Sequence, residues 1–263
     1  MRRLSALYAV FAVLIIAGMA IPAASAVASA APAQGLSTLT TGGISTATST
    51  NWAGYGAVGP ATKTVTEVSG SWVQPALSCG SKVSIAVFWV GIDGMVATAP
   101  SVEQTGTIGE CVGGVASYAA WWEIYPLNDI QFIPTTTINV APGDHFTASV
   151  TFSGVTKDFT MKVTDTTTGQ TFAKVHAYGP AKRETAECIA ERPSGSSGLY
   201  PLANFGKIVF TSCDATIKGT HAGISTFATV YSIDMVKGTL NLAVVSAPRN
   251  SGATFTVTWK HLG

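Results

Sequence analysis

The sequence predicts an all-β fold in which two antiparallel sheets pack face to face as a β-sandwich of jelly-roll character. From Asn51 onward the chain is a succession of short runs rich in Val, Ile, Thr, Phe, Tyr and Trp, separated by clusters of Gly, Pro, Asn and Asp, which is typical of antiparallel strands. No run shows helical periodicity over about eleven residues. The stretch of about 215 residues that follows the N-terminal segments fits one large all-β domain.

The individual strands can be placed from their composition. They are predicted at Thr64–Val73, Val83–Ile92, Tyr118–Tyr125, Thr136–Val140, His145–Phe152, Phe159–Asp165, Thr171–Ala177, Ile208–Cys213, Thr226–Met235 and Thr254–Lys260. Turn residues such as Ala141-Pro142-Gly143-Asp144 and Asn250-Ser251-Gly252 separate neighbouring runs, because Gly, Pro, Asn and Asp favour tight turns. We find no internal repeat, so a single sandwich domain is expected.

The N-terminus has the pattern of a secretory signal peptide. Arg2 and Arg3 precede an apolar run that ends near Ile21, and Ala24-Ser25-Ala26 forms a small-residue cleavage site. A second possible site follows Ala30. A membrane span is the alternative, but the run is short for a bilayer and no stop-transfer charges follow. We therefore assign residues 1–26 to a signal peptide and expect a secreted protein.

Residues 27–49 consist mostly of Ala, Ser, Thr and Gly without a charged side chain. Such a composition buries too little apolar surface to order itself, so we interpret it as a low-complexity linker or short pro-segment before the β-sandwich domain at residues 50–263. Loss of Arg2 and Arg3 leaves a nearly neutral protein. That charge argues against nucleic acid as a partner. We expect no membrane partner after signal cleavage, and a monomer.

The cysteines indicate two disulfides. An exported protein with Cys79, Cys111, Cys188 and Cys213 is expected to oxidise them, and four cysteines allow three pairings. Proximity along the chain favours Cys79 with Cys111 and Cys188 with Cys213. A zinc site is the alternative, but no C-x-x-C or H-x-x-x-H spacing is present, so no metal or other cofactor is expected.

Polar residues within apolar, strand-like runs are the candidates for chemistry. Asp93, Gln104 and Glu123 stand in such runs, and a buried polar group needs either a partner or a function. Strand alternation places Glu191 on one face of Thr185–Arg192 with Glu187. It also places Glu123 on the face of Trp121, an aromatic surface suited to an extended ligand.

Common hydrolase signatures are missing from the sequence. There is no G-x-S-x-G elbow, no H-E-x-x-H zinc helix and no Asp-Thr-Gly or Asp-Ser-Gly motif of a pepsin-like enzyme. The four histidines lie in strand-like runs, in a loop and near the C-terminus, where a surface or satisfied histidine is the expected role. Carboxylates and amides therefore remain as the candidates for hydrolysis.

Seven short motifs, in one order along the chain, resemble those of the glutamic peptidases, or eqolisins. They are Asn51-Trp52-Ala53-Gly54, Trp72-Val73-Gln74-Pro75, Trp89-Val90-Gly91-Ile92-Asp93-Gly94, Glu103-Gln104-Thr105-Gly106, Trp121-Trp122-Glu123-Ile124-Tyr125-Pro126, Thr168-Gly169-Gln170 and Ala186-Glu187-Cys188-Ile189-Ala190-Glu191. Each alone is weak, but together they span most of the chain from Asn51 to about Cys213.

The resemblance implies a catalytic dyad, Gln104 and Glu191, in a concanavalin-like sandwich of two seven-stranded sheets. It also implies a metal-independent endopeptidase, insensitive to pepstatin, that cuts protein or peptide substrates at acidic pH. Five further residues fall in matching motifs or on the aromatic surface and are assigned to substrate binding or support of the dyad: Trp52, Asp93, Glu123, Trp89 and Trp121.

Two features depart from the family pattern, and two other functions remain open. The mature chain is almost neutral where fungal members are strongly acidic, and residues before Asn51 lack a Lys-rich pro-segment. A non-catalytic carbohydrate- or peptide-binding sandwich is one alternative, because fold does not fix function. A glycosidase that uses Glu123 and Glu191 as its two carboxylates is the other.

Overall fold

A computed structural model describes residues 28–39 and 44–263 of the chain. The predicted signal peptide, residues 1–26, lies outside the described residues. Within the described part, no helix is long and apolar enough to cross a bilayer.

The described residues form strands joined by turns and one short 3-10 turn, Ile224–Thr226. The strands are β1 Ser37–Leu39, β2 Ser45–Ser49, β3 Trp52–Val58, β4 Val65–Val73, β5 Ser84–Ile92, β6 Val102–Val112, β7 Val115–Tyr125, β8 Gln131–Phe132, β9 His145–Phe152, β10 Asp158–Asp165, β11 Thr171–Ala177, β12 Thr185–Glu191, β13 Ser194–Gly195, β14 Gly198–Leu199, β15 Lys207–Ile217, β16 Thr220–Gly223, β17 Val230–Lys237, β18 Leu240–Val245 and β19 Phe255–Trp259. The all-β prediction is confirmed.

The front sheet has the order β8, β7, β6, β5, β12, β3 and β17, with every neighbouring pair antiparallel. Strand β17 also pairs in parallel with β2, which carries β1 on its far side. Strands β18 and β19 link β17 to the first half of β15. Strands β5 and β12 thus lie at the centre of this sheet, where both of their edges are paired.

The back sheet has the order β11, β10, β9, β4, β15 and β16, all antiparallel. Strand β15 belongs to both sheets. Its first residues pair with β19 and its last residues with β4 and β16, with a register shift between Thr211 and Asp214, since a bulge lets a strand bend from one sheet into the other. The sandwich prediction is therefore confirmed, but the expected seven strands per sheet are not observed.

Burial follows the position of each strand. Back-sheet strand β10 alternates between buried and accessible residues, as expected for a strand with one face on the core. Strand β5 is buried at all nine positions, because its inner face packs against the back sheet and its outer face is also covered. The outer face carries a second apolar cluster around Trp52, Val87, Trp89 and Trp121, which we call the cleft cluster.

Two predictions about local structure need comment. The run Thr136–Val140 is a turn and loop rather than a strand. The amides of Thr137 and Ile138 bond to the carbonyl of Pro134, and the apolar Ile138 is buried without a strand partner. The cysteine pairing is confirmed: Cys79 bonds to Cys111, and Cys188 bonds to Cys213.

Candidate active site

Strand register brings the predicted site residues to the outer face of the front sheet. Gln104 on β6 lies directly opposite Glu123 on β7 and Gly91 on β5. Gly91 in turn lies opposite Glu187 on β12, and Glu191 follows four residues later on the same strand. Because directly opposite residues share a face and faces alternate along a strand, Gln104, Glu123 and Glu191 project from one surface.

Gly91 makes room for this arrangement. A Cβ atom at this position would lie 2.7 Å from Cζ3 of Trp89 and 3.2 Å from Cβ of Gln104, which is too close for the rigid indole ring. The glycine therefore lets the Trp89 ring pack beside Gln104, between the two halves of the predicted dyad.

Glu191 is fully buried and accepts two hydrogen bonds from side chains. Its Oε2 accepts from Nε1 of Trp89 at 2.9 Å, and its Oε1 accepts from Nδ2 of Asn51 at 3.3 Å. Burial raises the pKa of Glu191 well above its usual value, the charge of Glu123 adds to the rise, and the nearby donors of Trp89, Asn51 and Trp52 oppose it. The carboxyl group is thus fixed in orientation and held in a low-dielectric environment.

Trp52 and Trp89 form the wall next to Glu191. Their rings meet edge to face with centroids 4.9 Å apart, an arrangement worth about 1 kcal/mol beyond area burial. Nε1 of Trp52 donates at 3.0 Å to the carbonyl of Ala31. This hydrogen bond to a backbone carbonyl is consistent with the prediction that Trp52 lines a substrate groove.

Gln104 and Glu123 form the other side of the site. Nε2 of Gln104 donates to Oε2 of Glu123 at 3.1 Å and to the carbonyl of Ala30 at 2.5 Å. Oε1 of Gln104 is buried and has no hydrogen-bond partner among the described residues. Burial raises the pKa of Glu123 to about 8, although hydrogen bonds from Ser29 and Ala30 act in the opposite direction.

The N-terminal segment Ala28–Gln34, which we call the strap, covers this surface. Its backbone amide at Ala30 and the hydroxyl of Ser29 donate to Glu123 at 3.0 and 2.7 Å. Composition indicated a segment unable to order itself, and its order here comes from contacts with the sandwich, which bury Ala28, Ala30 and Ala31.

Asp93 and Trp121 lie beside the predicted dyad rather than between its two residues. The Asp93 carboxylate accepts hydrogen bonds from the amides of Lys182, Arg183 and Glu184 at 2.8, 2.6 and 2.6 Å, and so fastens the loop that enters β12. Burial still raises the pKa of Asp93. Trp121 is fully buried in the cleft cluster, and its Nε1 has no hydrogen-bond partner in the described residues.

Sequence reasoning gave no role to Asn51, although it belongs to a matching motif. Its Nδ2 donates to Glu191, to the Ala31 carbonyl at 3.2 Å and to the Pro32 carbonyl at 3.1 Å. Oδ1 of Asn51 accepts from the hydroxyl of Ser49, which fixes the orientation of the amide. Its place in a matching motif, directly before Trp52 at the start of β3, was the signal in the sequence that could have indicated this role.

No cluster of three or more metal-ligating side chains occurs among residues 28–39 and 44–263. The groups available for chemistry at this site are the oriented carboxyl of Glu191, the side-chain amide of Gln104 and the carboxyl of Glu123, which accepts a hydrogen bond from that amide.

Comparison with known proteins identifies the family. The Peptidase A4 family matches residues 50–259. Aspergillopepsin-2 of Aspergillus niger is 30% identical over 233 residues, which cover 80% of this chain and 78% of that protein. The match favours a peptidase over the lectin-type and glycosidase alternatives.

Two solved structures agree with this result. Scytalidoglutamic peptidase bound to a peptide-based transition-state analog is 26% identical, with a TM-score of 0.66 over 80% of this chain and 98% of that one. SCP-B, an eqolisin solved with the tripeptide Ala-Ile-His, is 25% identical, with a TM-score of 0.63 over the same shares. The chain therefore belongs to the Peptidase A4 family, the eqolisins, and is a glutamic-type endopeptidase.

Proposed function

We propose that this chain is a secreted endopeptidase that hydrolyses peptide bonds at acidic pH, with Glu191 as general base and Gln104 as its partner. One observation carries the proposal. The Gln104 amide donates to the carbonyl of a peptide unit whose neighbouring residue, Ala31, is held by Asn51, and Asn51 also contacts Glu191. A peptide backbone thus lies where a dyad would act on it.

The residue types fit the reaction. Glu191 as carboxylate takes a proton from a water molecule, which attacks the carbonyl carbon, and the same carboxyl then gives the proton to the leaving nitrogen. Nε2 of Gln104 donates to the oxyanion that develops on the carbonyl oxygen, an effect of about 3 kcal/mol in comparable sites. Oε1 of Gln104, which is free of partners in the described residues, accepts a hydrogen bond from the attacking water.

The surrounding residues support these two. Trp89 and Asn51 orient the Glu191 carboxyl. Trp52 binds a carbonyl of the peptide, and Glu123 binds an amide of the peptide together with the Gln104 side chain. Asp93 holds the loop before β12, and Trp121 lines the cleft cluster. These contacts align an extended chain across the sheet.

The ligands of two relatives and the disulfides support a peptide substrate and secretion. A transition-state analog and a tripeptide are bound in the two relatives solved with ligands, which supports a peptide as the substrate of this chain. The two disulfides favour an oxidising compartment outside the cytosol. Signal cleavage after Ala26 and a monomeric enzyme complete the proposal.

Digestion of denatured casein by the purified secreted protein, from about pH 2 to about pH 7, tests this function. We expect activity on the acid side that resists pepstatin and a metal chelator. Gln104→Ala should lower kcat about 100-fold or more, because the oxyanion loses its donor. Wild-type protein that cuts no protein at any pH, or Gln104→Ala protein with full activity, would contradict the dyad.

A further inference from the structure

A pocket at one end of the sandwich is lined by positive charge and lies apart from the cleft. Its volume is about 250 Å³. Lys63 comes from the connection between β3 and β4, Lys157 from the turn between β9 and β10, and Arg183 from the connection between β11 and β12. No acidic side chain of the described residues lines this pocket, and none of its lining residues belongs to the cleft cluster. We call it the basic pocket.

Aromatic rings form part of its wall and hold the arginine in place. The guanidinium carbon of Arg183 lies 3.9 Å from the centroid of the Phe152 ring, within the range of a cation–π contact. Nη1 of Arg183 donates to the carbonyl of Val65 at 3.0 Å. The guanidinium group is thus fixed by its face and by one donor, and the other N–H groups along its edge remain for a ligand. The half-buried Tyr178 also lines the pocket.

The three cations share an uncommon backbone conformation. The φ angle is 63° at Lys63, 64° at Lys157 and 52° at Arg183, in the left-handed region where glycine is the usual residue. The surrounding chain imposes this conformation: the Asp93 carboxylate accepts from the amide of Arg183 at 2.6 Å, and the amide of Lys63 donates to the carbonyl of Lys182 at 2.6 Å. Long cationic side chains therefore stand where glycine would be less strained, and all three line one pocket. Such strain in a folded protein points to a function.

Positive charge is concentrated around this pocket. The chain contains 15 lysine and arginine residues, and two more of them adjoin the three that line the pocket. Lys182 bonds through its carbonyl to Lys63, and the amide of Lys218 donates to the carbonyl of Thr64 at 2.8 Å. Five cations therefore meet at one end of a protein that is nearly neutral as a whole.

The acidic residues at this end of the sandwich do not cancel that charge at the pocket. Both oxygens of Asp93 accept from backbone amides, and Glu184 accepts from a threonine hydroxyl at 2.6 Å. Glu103 is fully buried, and burial, reinforced by the charge of Asp93, raises its pKa well above the usual value. Asp158 follows Lys157 in the chain but does not line the pocket. The basic pocket is therefore suited to an anion.

We infer that the basic pocket binds a phosphate group, either as inorganic phosphate or as the monoester of a small molecule. The edge of a guanidinium group matches two oxygens of a phosphate, and the ammonium groups of Lys63 and Lys157 add further charged donors. Tyr178 and Phe152 offer an apolar surface to the organic part of a monoester. This binding site goes beyond the proposed function, because it uses neither Glu191 nor Gln104.

The preference for phosphate over a carboxylate ligand follows from the proposed acidic working range. A carboxylate loses its charge near its usual pKa of about 4. A phosphate monoester keeps one negative charge well below its second pKa of about 6. Phosphate therefore stays an anion under conditions in which a carboxylic acid becomes neutral, and the lysines and the arginine stay charged throughout.

Calorimetric titration of the purified secreted protein at mildly acidic pH tests the inference, with sodium phosphate and phenyl phosphate as separate probes. We expect one saturable site per chain, with an affinity that falls as sodium chloride is added, because salt screens the attraction between charges. Tighter binding of phenyl phosphate would support a small organic monoester as the ligand, and equal binding would support inorganic phosphate. Absence of saturable binding by both probes would overturn the inference.

A lipid headgroup is the other source of such a phosphate. Vesicles of phosphatidylcholine with phosphatidic acid are therefore tested by co-sedimentation with the same protein. Protein that binds these vesicles but neither small probe would overturn the inference, since a membrane surface rather than the pocket would then hold the phosphate.

Three variants separate a specific site from a general effect of charge. Arg183→Lys keeps the charge but loses the planar fork, and Lys63→Gln removes one ammonium group, so each should weaken phosphate binding about tenfold. Lys207→Gln removes an exposed lysine at the first residue of β15, the end of that strand opposite to Lys218, and should leave the affinity unchanged. Equal losses in Lys63→Gln and Lys207→Gln would overturn the inference.

Hydrogen exchange of the wild-type protein locates the ligand without any variant. Saturating phosphate should slow amide exchange in residues 59–64, 153–158 and 178–184, and slowing confined to the cleft would overturn the inference. Casein digestion by the same sample keeps the two proposals separate. Protein that binds phosphate but cuts no casein would contradict the proposed function alone, whereas protein that cuts casein and binds no phosphate would overturn this inference alone.

Discussion

Two pairs of buried glutamates on the front sheet have different surroundings. Glu191 and Glu123 accept hydrogen bonds from tryptophan, amide and hydroxyl groups. Neither carboxyl oxygen of Glu103 or of Glu187 has a hydrogen bond of normal geometry in residues 28–39 and 44–263, and only the hydroxyls of Ser101 and Thr185 lie near enough to oppose the rise of their pKa values. Burial raises the pKa in both pairs, so a shifted pKa by itself does not separate a catalytic carboxyl from a structural one. The oriented donors differ between Glu191 and Glu187, and in our proposal they distinguish the catalytic carboxyl on β12 from the structural one.

The difference bears on the protonation state of Glu191, Glu103 and Glu187, whereas Glu123, whose pKa burial raises to about 8, stays protonated at acidic pH despite its donors. A buried carboxylate without donors is expensive, and such a group stays protonated instead. Glu191, with donors on both oxygens, can carry the negative charge that a general base needs. Glu103 and Glu187 are expected to remain neutral throughout the acidic range, where they act as polar members of a packed interior.

The largest expected effect is the contrast between Glu191→Gln and Glu187→Gln. Both variants make the same change on the same face of β12, four residues apart. Loss of the general base should lower kcat on casein about 1,000-fold, whereas Glu187→Gln should retain wild-type kcat. Equal losses in the two variants would mean that the hydrogen-bond donors do not mark the catalytic carboxyl.

A smaller effect is expected when one donor to Glu191 is removed. Trp89→Phe keeps an aromatic ring but deletes the Nε1 donor, so the pKa of Glu191 should rise further. Because the base acts only when ionised, the acid limb of the pH–kcat profile should move to higher pH, with about tenfold lower kcat at low pH. Trp259→Phe, which removes an indole donor to the Leu202 carbonyl away from the cleft, is the matched control and should leave the profile in place.

Much of the fold was predictable because strand composition and turn residues act locally. His145–Phe152 and Thr171–Ala177 were predicted with the bounds that the structure has. Thr136–Val140 has the same composition, but Pro134 directs its amides into a turn, and no local pattern reveals that no strand is available to pair with it.

The site was predictable in part, for a different reason. Alternation along single strands placed Glu191 and Glu187 on one face correctly, but it gave no means to choose between them. The choice came from the family resemblance, and the structure adds the physical distinction, the donors from Trp89 and Asn51. The composition of the strap predicts a linker, because its alanine and serine residues show no periodic pattern. Its position in the structure depends on backbone contacts, which composition does not reveal.

The comparison also predicts how stability depends on pH. The usual pKa of a glutamate is about 4.5, and the pKa values of Glu103 and Glu187 in the folded state lie well above it. A group whose pKa is raised on folding contributes stability that is fully present below the unfolded value and is lost as the pH rises through the folded value. The free energy of unfolding should therefore decrease as the pH rises above about 4.5, by about 1.4 kcal/mol per pH unit for each group affected.

Urea unfolding of the Glu191→Gln protein, in which we expect no self-digestion, measures this slope. Adding Glu103→Gln should flatten the dependence of the unfolding free energy on pH, because a neutral amide replaces the group that would have to ionise inside the protein. Adding Glu67→Gln, which changes a half-buried glutamate that bonds to Thr216, controls for the loss of a charge elsewhere and should leave the slope unchanged. If Glu103→Gln has the same slope as its parent, then Glu103 is already ionised in the folded state. That result would contradict the expectation that a buried glutamate without hydrogen-bond donors, such as Glu103, stays protonated.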